Sequence, residues 1–290
     1  MAATRPCNGC KYRSGTTDFT FDEVLFSPGE VRTNQNYPVV PTFICQDVYA
    51  LSAGYAISDN ITANDYLFTS AKTQLCLGAQ YRIIRHQFLH KRLLLNDFSK
   101  RQRLLITLGD SDIKGLSLPL TECLLEKNNN LPIDLVVGSM TKIDETQLRQ
   151  LNSNYPYLTI HRNITDMSDL MSQAGMAITT AGGTLYELAL LGVPAVALCI
   201  VDNQISALHS PMNGSGYLGY DLRNYDNQQQ LVSLLQKTQQ DKTLNQISLV
   251  CIELWQQENQ REAMSTKLQH AIDGLGSQRV IAAIEQHLKH

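Results

Sequence analysis

Residues 178–204, ITTAGGTLYELALLGVPAVALCIVDNQ, gather several chemistry-bearing residue types into one short stretch. Ala181, Gly182 and Gly183 form a turn, Thr184 adds a hydroxyl, Glu187 a carboxylate, and Asn203 with Gln204 a pair of side-chain amides after a second apolar run. Glycines without a Cβ let a ligand come up against backbone amides. A turn that opens a helix aims those amides from the positive end of the helix dipole, which suits a phosphate. Glu187, in the first helical turn, can accept hydrogen bonds from sugar hydroxyls; a charge matched to the helix dipole is the alternative reading. The combination is that of a nucleotide site.

Such a site needs a strand ahead of the turn and another behind the helix. Residues 176–180 make the first, and Leu185, Leu188, Ala189 and Leu191 give a helix its buried side. Gly192 and Pro194 stop that helix, and residues 194–200 form the next buried strand. The same alternation starts at residue 104. Strands are predicted at 104–108, 133–137, 158–161, 176–180 and 194–200, with helices at 116–127, 142–152, 167–174 and 184–191. Strands separated by helices predict an α/β fold with a parallel sheet covered on both faces. Ligands bind such sheets at the carboxyl ends of the strands. Gly109, Asp110, Ser111 and Asp112, then Gly138 and Ser139, Arg162 and Asn163, the 181–183 turn, and Asn203 with Gln204 therefore share one edge.

Beyond Asn203 the pattern turns polar and helical. Residues 228–241 read as a glutamine-rich, solvated helix face, 244–272 carry apolar residues at helical spacing, and 278–289 form a terminal helix after a glycine turn. The basic run 91–103 reads as a solvated connection between lobes. Strands are predicted at 39–45 and 66–69, in a first part too short for a complete nucleotide-fold lobe. The chain has 290 residues, enough for two lobes, and a net charge of −3, which disfavours nucleic acid as a partner. Its 43% hydrophobic content is ordinary for a globular protein, with no apolar run near the roughly 20 residues of a membrane span. The first residues lack the apolar core of a signal peptide, so a cytoplasmic protein is expected. Seven cysteines do not suggest a disulfide framework. The spacing of Cys7 and Cys10 suits half a metal site, a redox pair or a functionally silent segment, and no metal is otherwise expected.

Taken together, these motifs resemble the carboxyl-terminal lobe of two-lobed, GT-B type glycosyltransferases of the MurG-like superfamily. A nearer likeness is to the UDP-sugar hydrolase of pseudaminic acid biosynthesis and its spore-coat polysaccharide relatives. The loop Gly109-Asp110-Ser111-Asp112 stands where that family has a Gly-Gly-Ser/Thr-Asp loop, with Asp110 in place of the second glycine, where it would crowd a diphosphate. LGAQYRIIRHQF, running from Leu77 to Phe88, resembles the family's crossing into its second lobe. Ile164 to Met171 resembles its N-M-x-x-L-M helix. Ala263-Met264-Ser265 and the stretch from Asp273 to Val280 resemble its closing pattern. The likeness covers roughly residues 75–285, with the motifs in order.

The resemblance implies three segments: a shortened N-terminal lobe at 1–95, with 1–35 as a flexible start; a Rossmann-like nucleotide-sugar lobe at 96–275; and a C-terminal helix at 276–290 that packs back. It implies UDP contacts from Gly109, Ser111, Ala181, Gly182, Gly183 and Thr184, and ribose contacts from Glu187. Asn203 and Gln204 would face the sugar, while Met167 and Leu170 would line the uracil pocket or serve only the core. The family's glycine-rich G-x-G-H-x-x-R turn has no counterpart in residues 1–60. A D-x-Y-G/A element survives as Asp47-Val48-Tyr49-Ala50, which makes Asp47, Tyr49 and Asn203 the catalytic candidates. The implied activity is hydrolysis of a UDP-linked acetamido-deoxy sugar without a cofactor. Glycosyl transfer from the same donor, and nucleotide-sugar binding without catalysis, remain alternatives. A protein partner for the shortened lobe is a further expectation.

Overall fold

The computed structural model describes residues 42–44, 55–58, 74–95, 97–225 and 234–288. In chain order the strands are β1 (Thr42–Ile44), β2 (Tyr55–Ser58), β3 (Gln74–Leu77), β4 (Arg103–Thr107), β5 (Ile133–Val137), β6 (Leu158–Arg162), β7 (Ala174–Thr180), β8 (Ala195–Cys199) and β9 (Tyr217–Asp221). The helices are α1 (His86–Arg92), α2 (Ser117–Lys127), α3 (Glu145–Asn154), α4 (Met167–Gln173), α5 (Gly183–Leu190), α6 (Ile205–Leu208), α7 (Leu234–Gln256), α8 (Glu258–Ala271) and α9 (Gly276–Leu288).

The chain divides into two compact units, residues 1–83 with 274–290 and residues 84–273. In the first, β1, β2 and β3 form a parallel sheet in that order. Cys76 and Val280 are buried there, with Tyr81, Ala283 and Ile284 packed against them. Gly276 opens α9 where a Cβ would lie 2.1 Å from the Arg82 carbonyl oxygen, so backbone proximity demands glycine. The predicted strand at 39–45 appears as the shorter β1; the one predicted at 66–69 lies outside the described residues.

In the second unit, six parallel strands run β6-β5-β4-β7-β8-β9, and the order reverses between β4 and β7. That is the doubly wound arrangement, whose ligand crevice opens at the reversal. Period-2 alternation explains the layers. Leu104, Ile106, Ile133, Leu135, Met176, Ile178, Val196 and Leu198 share one core with Leu120 and Leu124 of α2, Leu148 of α3, and Ile247 and Cys251 of α7. Between them stand Ala177, Thr179, Ala195 and Ala197, all fully buried on the opposite face, where α5 packs on β7 and β8. Small side chains let that helix lie close to the sheet.

Three expectations are corrected. Residues 217–221 form a strand inside a stretch expected to be helical; YLGYD lacks a β-branched run, and its pairing with β8 supplies the order that local pattern does not. Gly219 fits because a Cβ there would sit 2.7 Å from Leu208 Cδ2. The helical stretch expected at 244–272 is divided at Gln257, which leaves helical geometry between α7 and α8. The basic run 91–103 is not a solvated connection. Arg101 is buried and donates to the Leu191 carbonyl oxygen at 2.8 Å, and burial pushes its guanidinium pKa down. Arg103 donates to Asp134 at 2.5 Å and to Thr159 Oγ1 at 2.9 Å, while His161 Nε2 lies 2.7 Å from the other Asp134 oxygen. Charged side chains therefore tie β4, β5 and β6 together.

Among the described residues no helix is long and apolar enough to cross a membrane. The β4 loop is held by Asp112, buried at a φ of 41°, whose carboxylate accepts from the amides of Leu116 at 3.0 Å and Ser117 at 2.8 Å. Asp112→Ala removes that cap and leaves a Cβ-bearing residue in left-handed backbone, so a loss of about 1–2 kcal/mol is expected in chemical denaturation. Asp112→Asn, which caps and tolerates left-handed backbone, should retain most of the stability.

Candidate nucleotide site

The carboxyl ends of β4 and β7 bring the 109–112 loop and the 181–183 turn to the reversal point. Helix α5 begins there, and its N-terminus differs from those of α2, α3 and α4. The α2 terminus is closed by Asp112. The α3 terminus has Asp144 accepting from Thr146 N, and the α4 terminus has Asp166 accepting from Ser168 N. At α5 the cap is Gly182, with no side-chain cap hydrogen bond. The first amides of any helix lack intrahelical acceptors, and an anion can supply them.

Gly182 has φ −109° and ψ −153°, extended backbone that any residue adopts. A Cβ built on it would meet nothing nearer than Gln204 Nε2 at 3.5 Å and Thr180 Oγ1 at 3.9 Å. The fold itself does not require glycine at 182. Its counterpart at the far end of α5 is different. Gly192 has φ +64°, with Gly192 N donating to Ala189 O at 3.0 Å and Val193 N to Leu188 O at 2.9 Å, the paired bonds of a Schellman stop. A Cβ there would strike Ser265 and Gln269 of α8 at 2.6 Å. The glycine stop expected from sequence is thus also a packing seat.

Gln204 stands beside the turn, as the sequence implies. Its Oε1 accepts from Ile200 N at 2.9 Å, which fixes the amide and directs Nε2 toward Gly182. Asn203 is exposed in the same short turn. That turn is tied to the end of β9, because Arg223 donates to Asp202 at 2.8 Å and to Asp221 at 2.8 Å, and these bonds push the Arg223 pKa up. Thr184 and Gly183 are half-buried and Ala181 is buried. Met167 and Leu170 are both half-buried on α4. His209 is exposed at the end of α6.

Gly109 turns the chain after β4 at φ +83°, and Ser111 is half-buried beyond it. Asp110 leans toward the β5 loop: its carboxylate accepts from Ser139 N at 2.8 Å and Ser139 Oγ at 2.9 Å, and its carbonyl accepts from Met140 N at 3.1 Å. Gly138 makes room for this, since a Cβ there would lie 2.2 Å from Asp110 O.

Glu187 is not a free helix charge. It is buried, and Arg85 grips both of its oxygens, Nε on Oε1 at 2.6 Å and Nη2 on Oε2 at 2.9 Å. The hydrogen bond to Glu187, more than the burial that opposes it, pushes the Arg85 pKa up. Arg85 also lies 4.8 Å over the ring of the fully buried Phe88. Helix α1 is held further by the Lys91–Asp169 ion pair and by Gln87 donating to Asp166 at 3.2 Å. The sequence motif around Tyr81 contains Arg85 but carries no sign of a partner 102 positions later. Asp47, Tyr49, Cys7 and Cys10 lie outside the described residues.

The fold is that of two-lobed, GT-B type glycosyltransferases. The structure matches that of MurG from Acinetobacter baumannii with a TM-score of 0.51 and 18% identity, over 84% of this chain and 66% of the other. It matches the glycotransferase of kitacinnamycin with a TM-score of 0.50 and 17% identity, over 81% of this chain and 55% of the other. In sequence, the chain is similar to two named proteins of glycan pathways. One is the Bacillus subtilis spore coat polysaccharide biosynthesis protein SpsG, 28% identical over 48% of this chain and 41% of the relative. The other is the Helicobacter pylori protein named pseudaminic acid cytidylyltransferase and UDP-2,4-diacetamido-2,4,6-trideoxy-beta-L-altropyranose hydrolase, 33% identical over 50% of this chain and 26% of the relative. The chain thus matches less than half the length of either. No family model matches it.

The two glycine environments predict opposite outcomes for one substitution. Gly138→Ala should destabilise by about 1–3 kcal/mol, because a backbone oxygen occupies the Cβ position. Gly182→Ala should melt within a few degrees of the parent. Thermal unfolding of both variants followed by circular dichroism checks the pair.

Proposed function

We propose that residues 84–273 hold the UDP part of a nucleotide sugar, and that the chain hydrolyses a UDP-linked acetamido-deoxy sugar in glycan biosynthesis. The observation that carries the reading is the uncapped start of α5 at the strand-order reversal, with Gln204 beside it and a buried carboxylate one turn along. The Helicobacter pylori relative is named for hydrolysis of a UDP-linked diacetamido sugar, which supports the substrate class, and the Bacillus subtilis relative for polysaccharide biosynthesis.

In this reading the amides of Gly182, Gly183 and Thr184 and the Thr184 hydroxyl receive the diphosphate, with Gly109 and Ser111 across the crevice; the Ala181 amide, expected to join them, already donates to Leu198 O at 2.9 Å. Glu187 accepts from the ribose hydroxyls. Asn203 and Gln204 face the sugar. The oxygen of water attacks the anomeric carbon or the adjacent phosphorus, and the bond between sugar and UDP breaks. When attack is at the anomeric carbon, the bonding pair leaves on the diphosphate oxygen and the proton of water passes to a general base. The helix amides stabilise the departing negative charge, and they do so without rearranging because the fold has already fixed them. Asp47 and Tyr49 are the proposed catalytic groups, on the strength of the family resemblance alone.

A second reading, transfer of the sugar to an acceptor hydroxyl, draws on the fold shared with the kitacinnamycin glycotransferase. Incubation with UDP-linked acetamido sugars, with and without acceptors, separates the possibilities. Hydrolysis is expected to release UDP without an acceptor. Release only when an acceptor is present would replace hydrolysis by transfer, and tight UDP binding without release would identify a binding protein.

Glu187→Ala is expected to weaken UDP binding by about 1.5–3 kcal/mol, the range for hydrogen bonds to a charged group. Calorimetric titration of the folded variant gives the number, and an unchanged affinity would remove Glu187 from the ribose site.

A further inference from the structure

We infer that Arg85 is a positioning residue for nucleotide recognition: it fixes the plane of the Glu187 carboxylate so that an oxygen lone pair it leaves open meets a hydroxyl of a ribose. The inference rests on the UDP reading above and deepens it.

An ionised carboxylate offers about four lone-pair positions on its two oxygens. The Arg85 fork uses Nε on one oxygen and Nη2 on the other, at 2.6 and 2.9 Å, and so occupies one position on each. A further position on each oxygen remains, and because these two point away from one another, one of them is the acceptor for a ribose hydroxyl. A planar guanidinium held at two points also sets the carboxylate's rotation, which a single bond or a point charge would leave free.

The fork is itself well anchored. Its guanidinium lies over Phe88, which is fully buried, and α1 is bound to α4 through Gln87 and Lys91. The Glu187 side chain is 11% exposed and that of Arg85 44%, so the carboxylate is largely withdrawn from water. The arrangement converts the Glu187 side chain, just beyond the first turn of α5, into an acceptor of set direction. A ligand then gains its hydroxyl bonds without first ordering the side chain.

The role separates from phosphate binding and from mere structural support by the choice of nucleotide. The full chain, Arg85→Met and Arg85→Lys are titrated with UDP and with 2′,3′-dideoxy-UDP, and each variant is melted as a check of folding. Arg85→Met should weaken UDP binding by roughly ten- to a hundredfold, the range of a charge-assisted hydrogen bond. Its affinity for dideoxy-UDP should stay within about twofold of the parent, whose own affinity for that ligand is lower because the diol is gone. Arg85→Lys keeps the charge without the fork and should recover only part of the UDP affinity. In a Glu187→Ala background, Arg85→Met should add little further loss.

Equal losses for UDP and dideoxy-UDP would overturn the inference and make Arg85 a phosphate contact or a support of the fold. Full UDP affinity in Arg85→Met would overturn it as well. A parent chain that binds neither nucleotide would overturn the UDP reading and this inference with it.

Discussion

The first backbone amides of α5 have no capping side chain, because the cap is Gly182, and they stand where the strand order reverses. A polar group buried without a partner costs on the order of 1–3 kcal/mol, so a fold keeps such a terminus only open to water or to a ligand. Around it the protein has done the opposite. Aspartates close α2, α3 and α4, Asp110 is bound to Ser139, and Arg223 is shared between Asp202 and Asp221. Local hydrogen bonds tie the surrounding loops, and the donors of α5 are left available.

The sheet supplies the direction and the salt bridges supply the rigidity. Parallel strands place every βα loop of the lobe at one edge, and alternation of large and small side chains lets α5 approach β7 and β8 closely. Arg103, Asp134 and His161 then join adjacent strands through side chains rather than through the backbone ladder alone. The half-buried setting makes this network more than a surface decoration, because removing any member leaves another polar group poorly paired.

Much of the second unit was legible in the sequence because its signals are local. The strand, glycine turn, helix and glycine stop between residues 178 and 200 lie within a few residues of where pattern and turn chemistry put them. Ile133–Val137 matches its predicted bounds because a short apolar run between polar turns has few other readings. What failed depended on distance. β9 is a strand because β8 lies alongside it, and its own residues carry no strong preference. Arg101 and Arg103 read as solvated because composition does not reveal the carbonyl and carboxylate that receive them. The pairing of Arg85 with Glu187 joins segments that only the tertiary fold brings together. At the site, Gln204 was legible as a residue near the turn, whereas the bond to Ile200 N that orients it was not.

Glycines 182 and 192 bracket the same helix, yet they answer to different demands. Gly192 is held by a left-handed backbone and by the side chains of α8. Gly182 has ordinary backbone and open space around its missing Cβ. Over evolutionary time the two should therefore diverge in a diagnostic way: descendants that keep the fold but abandon the ligand are free to replace the first and not the second. The pattern of replacement at these two positions would record, in the sequences alone, which lineages keep the ligand proposed for this crevice.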